Sequence, residues 1–324
     1  MTKRYFCTLF DSGYLIKGLA MIRSLMRWSP DAEIYVLCMD EKTQWMLEAL
    51  AITGVCCIPL HDIETPELLE AKKDRGVAEY CWTLSPCLPS YVFEQHPEID
   101  FITYIDSDLL FYSPIEPLFE EIGHNSIAII EHRFTPRLMD RMVNGRFCVE
   151  WVSFRRDDEG MACLNRWKDQ CIEWCYYRLE ENRMGDQKYL DEWPARYPHC
   201  HILQHPGAGV AFEPVLAVVP GGDAGGDITV DGAPLIFYHF HQFQLLDNGK
   251  FDRLSTFYTD ETPEPDAIYS EYERAIAAAL SEIRPVDPTF SGGMKPVARV
   301  AGRRWAQRYL PNSVKEVLRR FVRY

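Results

Sequence analysis

The chain has 324 residues, 47% hydrophobic and 25% charged, with 48 Asp or Glu against 34 Lys or Arg for a formal net charge of −14. That composition argues against disorder, a collagen-like repeat and a long coiled coil. The acidic balance argues against nucleic acid as a partner, since general nucleic-acid binding needs a basic footprint. Nothing approaches the ~18 consecutive apolar residues of a membrane span, and the apolar run after Lys3 and Arg4 stops at Asp11, too soon for a signal peptide. Eleven cysteines without a C-x-x-C pair read as free thiols in a reducing compartment, so the expected location is the cytoplasm.

The first hundred residues alternate between two periodicities. Residues 4–10 read as a strand, Asp11-Ser12 offer cap chemistry, and residues 14–28 carry Leu15, Leu19, Ile22, Leu25 and Met26 at helical spacing. Strands follow at 33–39 and 55–60 around a helix at 42–53 closed by Gly54. Strand and helix in turn, joined by short loops, predict right-handed crossovers and a mostly parallel sheet in an α/β fold. A helix is predicted at 84–94, then a strand at 101–105 whose apolar character at every position but Thr103 marks a sheet centre buried on both faces. Further strands are predicted at 126–130, 148–154 and 234–240, and a long helix at 157–181. The predicted sheet-bearing domain spans 1–260, a linker and helix follow at 261–294, and residues 295–324 form a basic tail.

Chemistry concentrates in three segments. In YIDSDLLF, Asp106 and Asp108 close the buried strand, and in extended backbone i and i+2 face one way, so both carboxylates can converge on a hard cation. A solvated strand end with two caps is the alternative. In FYHFHQF, His239 and His241 repeat the i, i+2 spacing on an apolar strand, and one imidazole would complete a metal site begun by the acids; a pair of structural histidines is the alternative. In RMGDQKYLDEW, Asp186 and Gln187 follow a glycine at a helix start, where capping and anion contact both fit.

Four segments in this order, CTLFDSGYLIKGLAMIRSL, YIDSDLLFYSPIEPLF, MGDQKYLDEW and YHFHQF, resemble the GT-A nucleotide-sugar transferases, in particular glycosyltransferase family 8, across about three quarters of the chain. The resemblance implies a GT-A-like α/β fold and transfer of a hexose from a UDP-sugar to a glycan or lipid-linked acceptor, with Mn²⁺ or Mg²⁺ and retention of configuration. It implies that Asp11 binds the uracil edge and Tyr14 stacks on it. It implies that Asp106 and Asp108 hold the metal and the donor's ribose and diphosphate, with Ser107 between them on the donor side. His239 is the implied third metal ligand, with His241 as alternative, and Asp186 and Gln187 contact the transferred sugar, Gln187 facing the anomeric carbon. The sequence departs from the family pattern at Cys148, where an Asn is usual, and at Gln242, where a Gly is usual. The Lys-Pro-Trp that often follows the metal His is also absent, leaving Lys72, Lys73 and Arg75 as candidate diphosphate cations.

Two other readings fit the same residues: a metal-dependent hydrolase built on His239, His241 and the two aspartates, or a degenerate transferase scaffold that only binds. Residues 295–324 carry nine Lys or Arg against Glu316, a net +8 that leaves −22 on the rest. Val314, Val317, Leu318, Phe321 and Val322 recur there at helical spacing, so the tail is expected to lie on an anionic membrane surface or to dock on the acidic body.

Overall fold

The computed structural model describes residues 3–134, 136–210, 216–218, 228–253 and 266–298. In chain order the first elements are β1 (Tyr5–Phe10), α1 (Leu15–Trp28), β2 (Glu33–Cys38), α2 (Glu41–Leu50), β3 (Val55–Pro59), α3 (Leu60–Ile63), α4 (Pro66–Lys72), α5 (Val77–Leu84) and α6 (Cys87–Gln95). The middle holds β4 (Phe101–Ile105), β5 (Leu109–Phe111), α7 (Glu116–Ile122), β6 (Ile127–Glu131), β7 (Phe147–Arg155), α8 (Asp158–Glu173), α9 (Trp193–Arg196) and β8 (Cys200–Ile202). Last come β9 (Leu216–Val218), β10 (Ile228–Val230), β11 (Ala233–Pro234), β12 (Phe237–His239), β13 (Gln244–Leu246), β14 (Phe251–Asp252), α10 (Asp266–Ile283) and β15 (Met294–Lys295).

Seven strands form the main sheet in the order β3-β2-β1-β4-β7-β6-β8, parallel except where β7 runs antiparallel to β4 and β6. Side chains of β1 divide between two cores: Phe6 and Phe10 face one, Cys7 and Leu9 the other. This is the period-two burial that its apolar run dictates when both faces are covered. Trp151, fully buried on β7, stacks on Phe237 at 5.6 Å and meets Phe6 edge-on at 5.9 Å. Each such ring pair is worth ~1 kcal/mol beyond the area it buries. The stack ties β12 to the sheet directly beneath the strand ends that carry Asp106 and His239.

Three predicted elements differ in extent. The predicted helix at 84–94 is two helices, α5 and α6, with Ser85 and Pro86 between them. The predicted helix at 157–181 stops at Glu173 because Arg75 donates to the carbonyls of Cys171 and Ile172, the last-turn acceptors a helix leaves open. The predicted strand at 234–240 is interrupted after Pro234, where the Gly207 carbonyl takes the N–H groups of Ile236 and Phe237. The helix expected in a linker, α10, packs on α1 and contributes Ile268, Tyr272 and Ile276 to the same core. Strand β15 pairs in parallel with β13, so residues 266–298 join the body. The remainder of the basic tail, 299–324, lies outside the described residues.

Candidate active site

The site is assembled where β4 ends. Beyond Ile105 the chain turns through Asp106, Ser107 and Asp108 into β5, which pairs antiparallel with β12 in the register Leu109↔His239, and Phe240 N donates to Asp108 O at 3.0 Å. That register brings His239 to the acids. Its Nε2 is 3.1 Å from Asp108 Oδ1 and 3.9 Å from Asp106 Oδ2. On the other side of the ring, Nδ1 lies 2.5 Å from Glu150 Oε2 and 4.0 Å from Cys148 Sγ. Glu150 is 2% exposed in the middle of β7, beside β4, where Asp106 N donates to its carbonyl. Sequence reasoning missed this residue. The available signal was an acid inside the apolar run FCVEWVSF, since a buried carboxylate requires a partner.

The charges share one pocket. Asp106 is pushed up to about 7, first by desolvation, then by the carboxylates of Asp108, Asp186 and Glu150, with His239 pulling the other way. Asp108 is desolvated too, yet His239 and Lys17 hold it well below the usual carboxylate range. His239 is raised well above its ordinary value despite desolvation, by Asp108 first and by Cys148 and Glu150 after it. Three carboxylates, of Asp106, Asp108 and Glu150, thus lie within 4 Å of one imidazole, with one ammonium beside Asp108. Such a surplus of negative charge fits a hard divalent cation, and Asp106, Asp108 and His239 are able to hold one, with Glu150 fixing the ring from behind. Asp106, Cys148 and His239 also offer atoms within 4.8 Å of one another. Desolvation pushes the Cys148 thiol up to about 12, so it stays protonated and is the poorer ligand for a hard ion. His241 is exposed, its ring perpendicular to that of His239 at 5.7 Å, and it acts electrostatically on Asp108.

The loop after β1 forms the second wall. Asp40, the N-cap of α2, accepts from Ser12 N and Oγ at 2.9 and 2.7 Å and so holds the loop in place. Asp11 Oδ1 accepts from Tyr14 N at 3.1 Å. Tyr14 is 45% exposed, yet desolvation is the first cause raising its hydroxyl, with Asp108, Asp11 and Asp106 adding to it. A ring enclosed by protein and still reached by solvent lines a cleft. Lys17, one turn into α1, sits 3.7 Å from Asp108 Oδ2 and over the Tyr14 ring at 4.5 Å. Its ammonium is lowered by desolvation, with Asp108 opposing and Lys295 adding like charge. Lys295 arrives with β15, and the turn before it presses on this loop. A Cβ on Gly292 would come within 2.2 Å of the Ser12 carbonyl oxygen, and one on Gly293 within 2.3 Å of Gly13 O. Only glycine fits there. Lys17 and Lys295 are cations beside this loop that sequence reasoning did not single out.

The third wall is 185–187. Asp186 is 5% exposed and pushed up to about 7 by desolvation, opposed by hydrogen bonds from Ser85 and the local backbone. Its carbonyl accepts from Trp167 Nε1 at 3.0 Å, and Gln187 Nε2 donates to Asn144 O at 3.0 Å. Electrostatic contact links Asp186 to Asp106. The predicted diphosphate cations of the 72–75 segment are elsewhere. Arg75 donates to Thr83, Cys171 and Ile172, Lys72 pairs with Glu64 at 2.6 Å, and Lys73 pairs with Glu70. Arg75 therefore closes α8 instead of binding a donor. Gln242, at the usual glycine position, has φ +63, the left-handed backbone that glycine adopts without strain.

No family model matches the chain. It is 31% identical over 301 residues to the uncharacterized protein YfnD of Bacillus subtilis (strain 168), covering 91% of this chain and 96% of that one. It is equally 31% identical over 301 residues to YfnF of the same organism, with coverage of 90% and 97%. Among solved structures, the galactosyltransferase LgtC in complex with donor and acceptor sugar analogs superposes with a TM-score of 0.50 at 12% identity, over 85% of this chain and 95% of that one. The glycosyltransferase GlyE of Streptococcus pneumoniae TIGR4 gives 0.50 at 16% identity, over 91% and 66%. At such identities the likeness concerns the fold. The chain belongs to the family of the Bacillus subtilis proteins YfnD and YfnF, built on a GT-A fold that resembles glycosyltransferase family 8.

Proposed function

We propose that the protein is a glycosyltransferase that moves a hexose from a UDP-sugar to a hydroxyl of a glycan or lipid-linked acceptor, with Mn²⁺ or Mg²⁺ and with retention of configuration. The observation that carries the reading is the meeting of Asp106, Asp108 and His239 at one ring nitrogen, with Glu150 behind it. A bound divalent ion supplies charge neutralisation for the leaving diphosphate without any proton transfer. The chain's own residues do the rest. Asp11 and Tyr14 receive the base, Lys17 and Lys295 face the phosphates, and Ser107 and the two aspartates bound the ribose side. Asp186, neutral up to about pH 7, and Gln187, anchored on Asn144 O, line the place of the transferred sugar. Holding donor and acceptor against each other in a cleft shielded from water provides the remaining rate.

The test is UDP binding by calorimetry. The native chain should bind UDP in Mn²⁺ and lose that binding with a chelator, and Asp108→Ala should lose the metal-dependent part while melting as a folded protein. Unchanged UDP affinity of the variant in Mn²⁺ overturns the reading.

A further inference from the structure

Past Glu173 the chain folds back on itself instead of continuing α8. An isolated bridge joins Glu180 to Arg183, Gly185 N donates to Tyr176 O at 3.0 Å, and Tyr177 N donates to Glu79 Oε1 at 2.8 Å. The backbone of Tyr177 is thereby fixed while its ring is 62% exposed. That ring lies 5.7 Å from the half-buried ring of Trp82 on α5, tilted by 41°. Trp82 in turn covers Gly185, where a Cβ would come within 3.4 Å of the indole. The next residue is Asp186. Two aromatic rings therefore form a wall that begins beside Asp186, and Val77 on α5 and Leu179, two residues after Tyr177, are 63% and 45% exposed. Among the described residues these side chains stay exposed, and apolar surface next to a site marks binding.

We propose that Trp82 and Tyr177 form the acceptor subsite, where a pyranose ring of a glycan stacks its C–H face on the aromatic wall. This rests on the glycosyl-transfer reading of the neighbouring site. A sugar suits the wall better than a lipid chain. Its ring is the size of one side chain and its equatorial hydroxyls need polar partners; the Glu79 carboxylate already accepts from Tyr177 N, and Arg178, the residue next to Tyr177, is paired with Glu180, so charged groups flank the ring in the chain. A lipid chain would need a long apolar face without those charges.

The experiment follows the Trp82 indole resonance of the ¹⁵N-labelled full chain, assigned with Trp82→Phe, during titration with methyl β-glucoside, methyl β-galactoside and octyl β-glucoside. The methyl glycosides should shift the indole, Tyr177→Ala should weaken that binding at least about fivefold, and Tyr177→Phe, which keeps the ring, should retain it. Methyl glycosides that leave the indole unmoved, that act equally on Tyr177→Ala, or that act only when an octyl chain is attached overturn the proposal. UDP binding in Mn²⁺ is measured on the same native sample. Its failure strikes the parent reading, while a Tyr177-dependent glycoside shift still supports the wall.

Discussion

Replacing Glu150 by Gln tests how the imidazole is prepared for a metal. Glu150 Oε2 is 2.5 Å from His239 Nδ1, and both groups are buried. A carboxylate on Nδ1 fixes the tautomer that leaves Nε2 facing Asp106 and Asp108, and its charge raises the basicity of Nε2. Carboxamide replacement preserves shape and an acceptor oxygen but removes the charge. Losing such an outer partner lowers metal affinity by about 10- to 100-fold, or about 1.4–2.7 kcal/mol. The lower end applies to Glu150→Gln, because Gln still accepts from Nδ1. The assay is Mn²⁺ titration at fixed UDP, read by calorimetry and by the electron spin resonance of free Mn²⁺, with circular dichroism and melting as controls. UDP affinity should return to the native value at saturating Mn²⁺, which a merely misfolded site would not allow. Native Mn²⁺ affinity in Glu150→Gln, beside a clear loss in Asp108→Ala, would refute the role assigned to Glu150.

Four further outcomes follow. Asp186 keeps its proton in the folded chain up to about pH 7, whereas an unfolded Asp releases it near 3.9. Stability therefore falls as pH rises across that window, and Asp186→Asn should stabilise the ligand-free protein by up to about 4 kcal/mol at pH 8 and by little at pH 4. Urea midpoints at both pH values check this, and an equal offset at both would contradict it. Lys295→Ala should weaken UDP about five- to tenfold while leaving uridine unchanged, if the lysine meets phosphate; calorimetry with both ligands decides. Gly18→Ala should cost about 1–3 kcal/mol by overpacking, because its Cβ would lie 2.5 Å from the buried Phe10 ring, readable as a lower melting temperature. Truncation after Ala298 removes eight Lys or Arg and one Glu and should abolish sedimentation with anionic vesicles; full retention of sedimentation would place membrane binding on the body.

The fold was legible wherever burial is periodic over a short range. The alternating runs of β1, α1, β2 and α2 announce themselves, as does β4, apolar at every position but Thr103. Extents fail where a distant group acts. Arg75 ends α8 from 96 residues upstream in the chain, and the Gly207 carbonyl interrupts the run before β12. Neither event leaves a mark in the local pattern, because a carbonyl cap from another element has no spacing of its own.

The same distinction divides the candidate site. Two carboxylates that grip one ion must converge, and two acids one residue apart are visible in eight letters of sequence, although Asp106 and Asp108 stand in the turn just past β4 and not on the extended strand end expected. A phosphate asks less of its cations: an ammonium on a flexible stem reaches it from any element at any separation. Lys17 looks like an ordinary helix residue until α1 is seen to point it at Asp108, and Lys295 becomes relevant only because β15 pairs with β13 and Gly292 and Gly293 let the chain press against Ser12 and Gly13. Glu150 stands between these cases, an acid whose burial is visible but whose partner is 89 residues away. The anionic half of such a site is therefore set by local backbone geometry, and the cationic half by tertiary structure. Exchanging Lys17 or Lys295 for a neutral residue should accordingly change nucleotide affinity with little effect on folding, whereas moving either aspartate by one position in the turn between β4 and β5 should take its carboxylate away from His239 Nε2.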